Sequence, residues 1–108
     1  MSYTVSLSDN WCDHCQYGKP VVWWNYTSNM EPAWREAGAD LAAFHRKRAK
    51  DCAPILHAAI DKMVADPARY ATFDAPNGWG SMRTLVPALR ALLSEMVEHP
   101  NAVVEVFR

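Results

Sequence analysis

Lys19-Pro20-Val21-Val22-Trp23-Trp24-Asn25-Tyr26-Thr27-Ser28-Asn29-Met30-Glu31-Pro32 holds the change of rhythm that sets the fold. Its first nine residues are rich in β-branched and aromatic types and predict a strand over 19–27. Pro20 stands at the start of that strand, where a missing N–H does least harm. Asn29 lies three residues before Pro32, so an Asn29 N-cap puts the proline in the first helical turn, where N–H groups lack helical partners. A rival capping box, Ser28 with Glu31, would push Pro32 one step deeper, and Asn29 is the expected cap.

Upstream, Tyr3-Thr4-Val5-Ser6-Leu7 alternates and predicts a first strand, while the polar stretch 8–18 reads as a loop. Downstream, Asp51-x-x-Pro54 and Thr84-x-x-Pro87 repeat the cap-then-proline spacing, with Ser81 a competing start that would leave Pro87 to bend its helix. Cys52, Ile55, Leu56, Ala59, Ile60, Met63 and Val64 form one helical stripe, and Leu85, Val86, Leu89, Leu92, Leu93, Met96 and Val97 form another. The two segments match at an offset of 33 residues, through Pro54/Pro87, Leu56/Leu89, Met63/Met96 and Pro67/Pro100. Two core helices of one length converge on such a pattern, and two copies are too few for a solenoid. A short helical turn over 67–73, a loop over 77–80 and a last strand over 102–107 complete the order β-β-α-α-α-β. The expected fold is α+β: one domain over 1–108, with a three-stranded, mainly antiparallel sheet and three helices on one face.

The chain has 108 residues, half of them hydrophobic, and a net charge of −1. It therefore predicts a folded domain with no overall field for nucleic acid or anionic lipid. No apolar run approaches a membrane span, and the first residues lack the basic and apolar regions of a signal peptide. Three cysteines make no disulfide framework and favour a reducing, cytoplasmic setting. The basic cluster Arg46-Lys47-Arg48-x-Lys50 reads first as a solvated face and second as a phosphate or acidic-partner contact. Five tryptophans exceed what a small core readily absorbs, so some are expected at a ligand or partner surface.

Three constellations could carry chemistry. If the strand runs on to residue 29, Asn25, Thr27 and Asn29 share a face and abut a helix start, an arrangement suited to a polar ligand; otherwise they satisfy turns and caps. Asp74-Ala75-Pro76-Asn77-Gly78-Trp79-Gly80 sets an indole between two glycines, as a wall over a pocket or as a plug in the core. Cys12-Asp13-His14-Cys15 could chelate zinc, yet a closed site needs four ligands. Completion would draw on His14, His45, Cys52, His57, His99 or a second protomer; a redox pair and two incidental thiols are the alternatives. Catalytic motifs are otherwise absent, and Asp74 is the acidic group nearest the candidate pocket in sequence.

Asn25 to Met30 leading into Ala33-Trp34-Arg35-Glu36-Ala37-Gly38, then Asn77-Gly78-Trp79-Gly80, Val86-Pro87-Ala88-Leu89 and Val103 to Arg108, resemble a family of small tailed-bacteriophage proteins, above all of actinobacteriophages. The likeness covers most of 20–108 and implies a phage origin and a host cytoplasm, but no reaction. The Cys-x-x-Cys loop looks like a feature of only some members, and related chains tend to close with Ser-Arg where this one has Phe107-Arg108. The expected function is a non-enzymatic accessory protein that binds a host protein or a small polar ligand and interferes with host processes or defence. Asn25, Thr27, Asn29, Trp34, Asn77 and Trp79 are the expected ligand residues, with Trp24, Trp34 and Trp79 as walls. An enzyme acting on a nucleotide or sugar and a structural virion component are the alternatives. Zinc at Cys12 and Cys15 and a homo-oligomer are open expectations, while nucleic acid and membrane are not expected partners.

Overall fold

The structure is a computed structural model and describes residues 2–108. Strands β1 (Ser2–Cys12) and β2 (Tyr17–Thr27) form an antiparallel hairpin, and β3 (Val103–Phe107) pairs antiparallel with the other side of β1. The order β2-β1-β3 makes β1 the central strand. Helices α1 (Glu31–Glu36), α2 (Ala49–Ala65), α3 (Pro67–Ala71) and α4 (Met82–Glu98) follow the hairpin, with 3-10 turns at Ser28–Met30 and Leu41–Phe44. The α+β class and the antiparallel sheet are as the sequence predicts. Among the described residues the helices number four, because the expected short turn at 67–73 is the separate helix α3.

Alternation along β1 turns Tyr3, Val5 and Leu7 inward, where they meet Tyr26, Trp24 and Val22 of β2. Beneath them lie Leu56, Ile60 and Met63 of α2, and Leu85, Leu89 and Leu92 of α4, in one continuous core. The first turns of α2 and the last turns of α4 border one groove, so the two helices run antiparallel. The 33-residue offset survives in three dimensions: both helices have 17 residues and carry a proline at the sixth position. Each stops on a residue that precedes a proline (Asp66, His99), which is pushed out of the helical region by that ring.

Several local expectations are corrected. The stretch 8–18 is mostly strand, and only residues 13–16 form the turn. The extension is held from outside, since Arg46 lies 5.1 Å over the Trp11 ring and bonds Gln16, while Arg48 pairs with Asp13. Asn29 does not cap α1. Thr27 accepts from the Asn29 N–H (3.3 Å) to start the preceding 3-10 turn, though Pro32 does fall in the first turn of α1. Helix α2 begins at Ala49, before Asp51, because Ala102 and Pro100 carbonyls accept its first N–H groups at 2.8 and 2.9 Å. Helix α4 begins after Ser81, the rival start, and not at Thr84. Its first N–H is capped by the Asp74 carboxylate at 2.7 Å. Gly38, at φ +100, closes α1 with paired bonds from Gly38 and Ala39 N–H to Arg35 and Trp34 carbonyls.

Candidate functional site

Thr27 and Asn29 of the asparagine-threonine row do meet the backbone of the glycine-flanked loop. Asn29 Nδ2 donates to the Trp79 carbonyl at 3.1 Å, and Tyr26 Oη bridges to the Ser81 carbonyl and Thr84 Oγ1. Gly80 packs so closely that a Cβ there would lie 2.8 Å from Thr27 Cγ2. The loop is closed on itself by Ala75 N–H to Gly80 O, Gly78 N–H to Ala75 O, and Trp79 N–H to Asn77 Oδ1. Asp74, the sequence's candidate acid, is taken up by the Met82 N–H. The loop thus clasps the end of β2 to the start of α4.

At this junction the expected walls are turned to other uses. Trp34 is fully enclosed, edge-on to Tyr3 (centroids 5.1 Å apart), and offers no wall to a ligand. Trp24 is buried with its indole N–H on the Ala88 carbonyl (2.8 Å). Asn25 points away from the loop, onto the outer face of the sheet, and donates to Thr4 Oγ1 at 2.9 Å. Hollows among the described residues open beside Cys12 and Cys15 (430 Å³), between α2 and α4 at Pro54 and Met96 (460 Å³), and at Glu36, Lys62 and Arg69 (380 Å³). Trp79 remains 70% exposed, its indole directed to solvent and not plugged into the core.

The surface that sequence reasoning missed is the outer face of the sheet. Trp23 stands opposite Ser6, and Asn25 and Phe107 flank Thr4. Trp23 is 65% exposed and Phe107 47%, so an aromatic side chain stands exposed on each flank of this face, with the buried Ser6 of β1 between them. The signal was available: in Trp23-Trp24 alternation must send one indole out if the other goes in.

The edge of β2 belongs to the same surface. Val104 exchanges backbone bonds with Arg46 and Lys47, and the Val106 N–H donates to His45 Nδ1, so these groups point away from β1. Their partners Val5 and Leu7 therefore turn their own N–H and C=O groups toward β2, onto Trp24 and Val22. The backbone groups of Trp23 and Asn25 then face outward, and nothing among the described residues bonds them. The outer edge of β3 is covered by the chain at 45–48, whereas that of β2 is open.

At the far end of the hairpin, Cys12 and Cys15 are both exposed, and Cys15 N–H donates to Cys12 Sγ at 3.4 Å. The hydrogen bond between the two thiols holds Cys12 below the usual thiol range and lifts Cys15 above it. No group of three or more metal-ligating side chains occurs among the described residues. Within the basic cluster the arginines are engaged, Arg46 also with Glu105 (3.7 Å) and Arg48 with the Asn101 carbonyl (2.8 Å), while Lys47 and Lys50 lie exposed. Among the described residues no helix is long and apolar enough to cross a membrane. No protein-family model matches the chain, and no curated protein or solved structure shows significant similarity to it.

Proposed function

We propose that the chain is a non-enzymatic accessory protein that binds a partner protein, with the open edge of β2 and the outer sheet face as its docking surface. The carrying observation is that Trp23 and Asn25 present their side chains on the exposed flank of that face and their backbone groups on the unpaired edge. An extended segment of a partner can add to such an edge as a further strand, gaining main-chain hydrogen bonds while Trp23 anchors the side chains. A small polar ligand is less well served, because the junction of Asn29 with the 77–80 loop is closed by its own hydrogen bonds. The resemblance to phage proteins supports a host protein as the partner, met in the host cytoplasm.

A photo-crosslinking residue in place of Val21, at the edge, tests this in host cells, with the same residue in place of the exposed Val97 on α4 as control. The expected result is a discrete adduct from position 21 that is absent from position 97 and is lost when Trp23→Ala is added. Equal adducts from both positions, no adduct, or adducts indifferent to Trp23→Ala would overturn the assignment.

A further inference from the structure

We propose that Cys12 and Cys15 are one half of a thiophilic divalent-metal site, of the zinc class, completed by the same two cysteines of a second copy of this chain. A two-thiolate chelate needs both sulphurs held at one tight turn, with a nearby N–H to offset the sulphur charge. The hairpin tip provides this. Cys15 N–H donates to Cys12 Sγ (3.4 Å), and Gln16 N–H closes the turn on the Cys12 carbonyl (2.8 Å) with Gln16 at φ +56. Both cysteines are exposed and border one open hollow of 430 Å³.

The remaining ligands do not come from the same chain. Cys52 is enclosed in the core, His45 Nδ1 accepts the Val106 N–H, His57 faces Asp61 along α2 (3.4 Å), and His99 lies between Asp9 and Glu95 (3.5 and 3.7 Å). His14 lies in the turn itself, yet no three ligating groups converge among the described residues. A closed tetrahedral site therefore takes its other two thiolates from a second tip. The shape permits it, because β3 pairs with β1 only from Thr4 to Ser8 and the hairpin projects beyond. Four thiols give up their protons to solvent as their sulphurs ligate the ion, with no change of oxidation state, leaving a complex of net charge −2. Lys19 of each copy, beside the hollow, supplies positive charge against it, whereas Arg46 and Arg48 are already paired with Glu105 and Asp13 (3.7 and 3.8 Å).

Cobalt(II), added to the full chain after reduction and chelator stripping, tests the site. Expected are thiolate-to-cobalt charge-transfer and tetrahedral ligand-field bands that saturate at one ion per two chains, with a doubled native mass and bleaching by zinc. Cys12→Ser and Cys15→Ser should each lose the bands and the dimer while keeping the thermal midpoint of the metal-free chain, and His14→Ala should keep all three. Saturation at one ion per monomer, absence of the charge-transfer band, bands that survive Cys12→Ser, or a dimer that persists after chelation would each overturn the proposal.

Discussion

Gly80 sits at φ +122, and a Cβ there would lie 2.7 Å from Met30 Cγ and 2.8 Å from Thr27 Cγ2. Gly78 has φ +77 but open space around it, so the pair separates backbone strain from crowding. Gly78→Ala should lose about 1 kcal/mol, the strain alone, and Gly80→Ala about 2–4 kcal/mol, read from urea denaturation midpoints. Equal losses would mean that the clasp between loop and strand is slack. The cysteines divide in the same way by environment. Burial pushes the Cys52 thiol up to about 11 from its ordinary 9.0, whereas Cys12 and Cys15 are open to solvent. A thiol reagent should therefore modify two groups in the native protein, and the third only after unfolding. Because the folded form holds the Cys52 proton more tightly, its contribution to stability is intact below pH 9.0 and fades as pH rises toward about 11. Cys52→Ala should remove that part of the alkaline loss, as measured by denaturation across this range.

The two long helices show which signals are local. Their apolar stripes are written in neighbouring residues and were legible in the main, although Ile55, Val64 and Val97, read as part of them, lie exposed at their margins. Their starts were not legible, because the groups that satisfy the first N–H bonds come from Ala102 and Pro100 for α2 and from Asp74 for α4. With distant caps available, Pro54 and Pro87 fall one turn inside their helices, each on the solvent side, where water can serve the carbonyl that the ring leaves without a donor. Pro54→Ala should raise stability by on the order of 1–3 kcal/mol in urea denaturation, and a loss would show that the ring serves packing. The hairpin was read too short for a related reason. Ser8-Asp9-Asn10 carries no apolar alternation, and the strand continues because Arg46 and Arg48 reach over from the chain before α2.

Across the whole molecule, helices line one side of the sheet, and the other side exposes Trp23, Asn25 and Phe107 at its flanks while Ser6, Ser8 and Val103 are buried within it. Trp23→Ala should change stability by no more than about 1 kcal/mol by calorimetry, since the indole is mostly in solvent, while removing partner binding. The meeting of Asn29 with the 77–80 loop was legible, because both motifs hold polar groups that need partners. That the meeting would be sealed was not legible, since closure depends on Gly80 packing against Thr27 and Met30 from some fifty residues away. The central position of β1 also governs how the chain folds. Val5 pairs with Trp24 across a short turn but with Val106 across roughly a hundred residues, so one flank of β1 forms by a nearby encounter and the other by closing a very long loop. The hairpin can assemble early, whereas docking of β3 must await the helices that bring it round, so a mutation in β3 should act mainly on the unfolding rate and one in the hairpin on the folding rate.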